Sequence, residues 1–306
     1  MTIDPQAKVV LDLLAAIGFT FGGTDPVSLR ESMALGNTPS PIELAEVIDR
    51  AIPGLGGDIP IRIYRPSIEP GLPVVVFFHG GGWVVGDLES HDHAARAIAS
   101  KADCVVVAVE YRLAPEHKFP AAADDAWAAT EWVATHADEL GVDATRLAVA
   151  GDSSGGNLAA VVSNLARDVD HVQVIHQALI YPVTDATCDR PSWTENAEGY
   201  MLTSDGMTWF HSHYANSPED YTDPRYSPLF DELAGSAPAI VITAGFDPLR
   251  DQGIAYAEAL RAAGVEVDHI NFETMFHGFF TMDSGIDVAS EAQDAVAASL
   301  KAAFAR

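Results

Sequence analysis

Residues 147–158 constrain the chain more than any other stretch. The apolar run Leu147-Ala148-Val149-Ala150 breaks at Gly151-Asp152-Ser153-Ser154-Gly155 and gives way to a segment with no proline as far as Arg167. Four consecutive apolar residues fit a buried parallel strand, and the segment after the break fits a helix. A chain that turns directly from strand into helix passes through a crowded corner, where flanking glycines let the backbone close and one hydroxyl point outward. The pattern G-x-S-x-G therefore makes Ser153 a candidate nucleophile. Five residues alone are weakly specific; their place between strand and helix carries the weight.

The rest of the chain supplies a sheet around that corner. Residues 74–78, 105–109, 147–150, 172–180, 240–244 and 265–272 are apolar and rich in β-formers, and helical patterns such as 121–136 and 249–263 alternate with them. From Asp58, Ile59, Ile61 and Ile63 alternate with Pro60, Arg62 and Tyr64, which reads as an edge strand tolerant of proline. Seven strands interleaved with helices predict an α/β fold, a mostly parallel sheet covered on both faces. Val9, Val10, Leu13, Leu14 and Ile17 lie on one face of a helix over residues 5–17, stopped at Gly18. Ser40-Pro41-Ile42-Glu43 has the signature of a helix start, and Ile42, Val47, Ile48 and Ala51 extend it. Residues 185–229, polar and rich in proline and aromatics, interrupt the alternation as an insertion of the kind that forms lids. The organisation expected is cap helices over 1–50 and a catalytic domain over 51–306 that carries a cap insertion at 185–229.

The 44 acidic and 17 basic residues leave a net charge of −27. That charge repels phosphate backbones and anionic membranes, so nucleic acid is not an expected partner. No window is apolar enough for a membrane span, and the first residues do not form a secretory signal. Cys104 and Cys188 are the only cysteines, one of them in a run that looks buried, so no disulfide framework is expected and a cytoplasmic location fits.

A serine nucleophile needs a base, and the base needs an acid to orient it. Asp247 follows the strand 240–244 and His277 follows the strand 265–272, both at the sheet edge where Ser153 stands, in the order Ser, Asp, His. Asp251, one helical turn further on, and Glu273 are rival acids; Asp247 is preferred because it precedes the helix that contains Asp251. An attacked carbonyl becomes an oxyanion and needs N–H donors. His79-Gly80-Gly81-Gly82-Trp83 offers them after the strand 74–78, and it lacks the Lys-Ser/Thr ending of a phosphate-binding loop. His79 reads as a structural residue of that loop. The pairs His91/His93 and His211/His213 lack further ligands at metal spacing and read as surface histidines, so neither metal nor cofactor is expected.

The glycine run, the block 111–120 (Tyr-Arg-Leu-Ala-Pro-Glu-His-Lys-Phe-Pro), Gly151 to Gly156, Asp247-Pro248-Leu249-Arg250-Asp251 and His277-Gly278-Phe279 together resemble the bacterial hormone-sensitive-lipase-like carboxylesterases, from about residue 58 to the C-terminus. The resemblance implies an α/β-hydrolase fold of eight strands with a helical cap. It also implies a triad of Ser153, Asp247 and His277, an oxyanion hole of the Gly81, Gly82 and Ser154 amides, and hydrolysis of short-chain carboxylic esters through an acyl-serine. Ser154 departs from the alanine common in the family but keeps the amide. Acyl transfer or amide cleavage would use the same triad. A non-catalytic small-molecule receptor of this kind lacks the histidine, which is present here. The expected partner is a small ester, with a homodimer possible. Trp83, Phe21, Met201 and Phe210 are the expected substrate-pocket residues.

Overall fold

The computed structural model describes residues 2–306. Eight strands form one sheet: β1 (Glu46–Gly54), β2 (Gly57–Arg65), β3 (Leu72–Phe78), β4 (Val105–Val109), β5 (Val142–Asp152), β6 (Val174–Ile180), β7 (Ala239–Phe246) and β8 (Val267–Phe276). Their spatial order is β1-β2-β4-β3-β5-β6-β7-β8. The β1–β2 and β2–β4 pairs are antiparallel and the remaining pairs parallel. The helices are α1 (Pro5–Ala16), α2 (Pro26–Ala34), α3 (Asp92–Ala102), α4 (Ala121–Thr135), α5 (Ala137–Leu140), α6 (Ser154–Arg167), α7 (Pro191–Glu195), α8 (Ser204–Tyr214), α9 (Arg250–Ala262) and α10 (Asp287–Phe304).

Side-chain alternation along a strand splits the core into two layers. Val74, Val76 and Phe78 of β3 face the layer built with α4, α6 and α9, whereas Val75 and Phe77 face the layer built with α3 and α10. Burial on both faces explains why β3 and β4 are continuous apolar runs rather than alternating ones. The inserted residues 185–229 lie between β6 and β7 and contain α7 and α8, and Leu202, Met207 and Phe210 from this segment join the first layer.

Two expectations are corrected. The helix expected from Ser40 does not form: residues 46–54 are β1, laddered to β2 from Glu46↔Arg65 to Gly54↔Gly57. The spacing of Ile42, Val47, Ile48 and Ala51 suits a helix, but cross-strand pairing that buries Ile52 opposite Ile59 outweighs local preference. The short second helix is instead α2, capped by the Asp25 carboxylate, which accepts from Ser28 N–H at 3.0 Å. With β1 on the outside, β2 is not the edge. Pro60 sits one residue past the β2–β4 ladder, which begins at Ile61↔Val109, and its carbonyl still accepts from Glu110 N–H. Among the described residues no helix is long and apolar enough to cross a membrane.

Candidate active site

Ser153 stands between β5 and α6 with φ 56° and ψ −119°, a conformation that a non-glycine residue keeps only when its surroundings hold it. They do so here. Ser153 N–H donates to the Ile180 carbonyl at 2.8 Å and its own carbonyl accepts from Val183 N–H at 3.2 Å. The flanking glycines are required by space: a Cβ on Gly155 would overlap the Phe78 carbonyl, and one on Gly151 would overlap the Gly155 carbonyl.

Two loops that leave parallel strands bring the partners. His277 follows β8 and Asp247 follows β7, so both arrive at the carboxyl edge where β5 delivers Ser153. His277 Nε2 lies 2.9 Å from Ser153 Oγ, and His277 Nδ1 lies 2.7 Å from Asp247 Oδ2. With the ring proton on Nδ1, the imidazole donates to Asp247 and accepts from the serine hydroxyl. Asp247 is wholly buried, and its other oxygen accepts from Leu249 N–H at 2.7 Å. The rival acids point elsewhere. Asp251 accepts from Ser192 N–H and Arg250 Nε, and Glu273 is exposed. Asn196 holds the loop from the cap side, its Nδ2 donating to the Asp247 carbonyl at 3.1 Å and that of Gly245 at 3.3 Å. No motif marks Asn196, which the sequence reading missed.

Gly81 (φ 126°) and Gly82 (φ 58°) adopt positive φ as the loop turns after β3. Gly80 N–H donates to Asp152 Oδ1 at 2.9 Å, which ties the loop to the residue before Ser153. Burial works to raise the Asp152 carboxyl, but His91, His79 and the Gly80 amide together hold it below its ordinary range. His79 is buried and stacked on Tyr111 at 4.3 Å, and the Tyr111 hydroxyl donates to the His79 carbonyl at 2.7 Å. Burial, with His91 nearby, lowers the His79 imidazole to about 4, so it stays neutral as loop architecture. The backbone N–H groups of Gly81, Gly82 and Ser154 find no acceptor among the described residues.

A cavity of about 410 Å³ opens over Ser153 and His277, walled by Phe21, Phe210, Met33, Met201, Met207 and Met282. Trp83 is not in that wall. It is wholly buried beneath the loop, its φ of 59° leaving the indole stacked on Tyr214 at 4.5 Å and Tyr226 at 5.2 Å. Nor are the paired histidines free on the surface. His91 contacts Asp152 at 3.3 Å, His93 bridges Ser40 and Asp283, and buried His211 bonds the Tyr226 hydroxyl at 2.7 Å. His213 is half-buried against Trp209. Among the described residues no three His, Cys, Asp or Glu side chains converge as a metal would need.

A family profile described as "alpha/beta hydrolase fold" matches residues 75–281. The carboxylesterase NlhH of Mycobacterium tuberculosis is 43% identical, with 99% of this chain and 96% of that protein covered. The ethyl acetate hydrolase of Pseudomonas putida is 46% identical over 77% of this chain and 76% of that protein. The solved structure of a hyperthermophilic esterase from the archaeon Pyrobaculum calidifontis superposes with a TM-score of 0.93 at 42% identity, covering 99% of each chain. A matching profile over residues 75–281, together with a carboxylesterase and an esterase 42–43% identical and aligned over nearly their whole length, places this chain in the α/β-hydrolase family, among its carboxylesterases.

Proposed function

We propose that this carboxylesterase cleaves short-chain carboxylic esters through an acyl-serine formed on Ser153. One observation carries the reading: a single hydrogen-bonded line from Ser153 through His277 to Asp247 that opens on an apolar cavity beside unengaged amides. As Ser153 Oγ attacks the ester carbonyl, its proton passes to His277 Nε2. The Asp247 carboxylate holds the ring in the accepting tautomer and stabilises the imidazolium. The carbonyl oxygen gains charge where the Gly81, Gly82 and Ser154 N–H groups can meet it. Collapse releases the alcohol, which takes the proton from His277. Water then enters by the same base, and the acid leaves Ser153 as the hydroxyl is restored.

The cavity supports the short-chain reading. Each methylene buried against Phe21, Phe210 and the methionines gains up to about 0.8 kcal/mol until the walls end. We place the enzyme in the cytoplasm, where its two free cysteines suit a reducing milieu. The test is Ser153→Ala, which removes only the hydroxyl. It should fold normally by circular dichroism and lose nearly all turnover of nitrophenyl acetate and butyrate, and turnover near the native rate would reject the reading. Strong native activity on emulsified long-chain triglycerides would reject the short-chain part.

A further inference from the structure

Ser153 is not the only strained residue beside the reacting groups. Tyr181 follows β6 with φ 35°, a region that bulky side chains rarely enter, and it is 1% exposed. Its backbone is gripped: Tyr181 N–H donates to the Ile242 carbonyl of β7 at 2.7 Å. The peptide groups on either side of it serve Ser153, since Ile180 accepts from Ser153 N–H at 2.8 Å and Val183 donates to the Ser153 carbonyl at 3.2 Å. The Val183 carbonyl in turn accepts from Asn157 Nδ2 at 2.8 Å, which locks the segment to α6. The strain at Tyr181 therefore sits inside the bracket that holds the strain at Ser153.

The side chain completes the arrangement. The Tyr181 ring lies 4.6 Å from the His277 imidazole at 54° and 6.0 Å from the Phe279 ring. Its hydroxyl completes no hydrogen bond among the described residues, so the packing rests on the aromatic ring and not on the polar tip. Asp247 restrains His277 at Nδ1 but leaves the ring free to swing about that bond; a rigid ring packed beside it, tilted by 54°, limits this freedom.

We infer that Tyr181 is a positioning residue for ester cleavage: its ring sets the plane of His277 while the peptides beside it set the backbone of Ser153. One four-residue segment, 180–183, thus determines the separation of nucleophile and base from both sides. The inference rests on the proposed roles of Ser153 and His277.

Three variants, with Ser153→Ala as reference, test it. Tyr181→Phe keeps the ring and should retain kcat within about twofold. Tyr181→Met fills most of the volume without a flat ring, and Tyr181→Leu does so with a branched side chain. In either, measured where circular dichroism shows a folded protein, kcat should fall about tenfold to a hundredfold with KM little changed. Inactivation by diisopropyl fluorophosphate should slow in parallel, and the downfield proton resonance of the His277–Asp247 bond should broaden. Melting temperature alone would report packing, which is why these readouts are needed. If both ring-less variants keep native kcat and native labelling rates while Ser153→Ala is inactive, the positioning role is wrong. If Ser153→Ala is itself active, the failure lies with the proposed nucleophile.

Discussion

Asp247 Oδ2 meets His277 Nδ1 at 2.7 Å, while Asp251, one helical turn further along the chain, is spent on Ser192 and Arg250. Two carboxylates at nearly the same sequence position thus have separable duties. Asp247→Asn should lower kcat by about 10³- to 10⁴-fold, because an amide favours the wrong imidazole tautomer. Asp251→Asn should keep kcat within a few-fold and lower only the melting temperature. Comparing kcat for the two variants checks the assignment, and a weaker Asp251 variant would reverse it.

Crowding at the elbow gives a second expectation. Gly155→Ala would push a methyl into the Phe78 carbonyl, where only backbone can give way, so it should cost about 1–3 kcal/mol or more and disturb Ser153 as well. Gly264→Ala is the control: φ is 86° but the space is open, so strain of about 1 kcal/mol should appear in stability with activity unchanged. Urea melts and esterase assays of the pair separate overlap from strain.

The position of Trp83 reverses what its place beside the glycine loop suggests. Trp83→Ala should lose about 3–5 kcal/mol by emptying a stack of aromatic rings, with an unchanged preference among acyl lengths in the folded fraction. Phe210→Ala, in the cavity wall, should shift kcat/KM towards longer acyl chains. An acyl series on both variants decides, and a shifted profile in the Trp83 variant would put the indole back in the pocket.

Acid should loosen the fold before most carboxylates titrate. Burial lowers His79, His176 and His211 each to about 4. Between pH 6.5 and 4 the unfolded chain then binds more protons than the native one, so stability is full above 6.5 and declines towards 4. Each histidine accounts for about 3 kcal/mol at most. Melting temperature should fall across this window, and His176→Gln, which removes one of the three, should flatten the fall. A flat profile from pH 7 to 5 would contradict it.

Local chemistry made much of this legible. Residues 105–109 and 154–167, read from apolar runs and the absence of proline, coincide with β4 and α6, and Ser153, Asp247 and His277 stand at strand ends where their motifs put them. What escaped was decided by partners distant in sequence. Residues 46–54 suit a helix until β2 is there to pair with. Trp83 looks like a pocket residue until Tyr214 and Tyr226 cover it. Tyr181 and Asn196 carry no motif because their importance lies in what they touch across the fold. The strain at Ser153 could be anticipated from glycines; that at Tyr181 has no glycine to announce it.

Four of the six methionines in the chain, Met33, Met201, Met207 and Met282, surround the cavity. Thioethers on unbranched stems yield to a guest's shape more readily than leucine or isoleucine would, so the wall can mould itself to differing alcohols and acids. Of these, Met33, Met201 and Met282 are partly exposed and so open to peroxide, whereas Met207 is buried. Sulfoxidation would turn a pliant, greasy lining into a polar and chiral one, reversible by methionine sulfoxide reductases. Oxidant damage to this enzyme should then appear first as poorer grip on its substrate, with the serine still able to react.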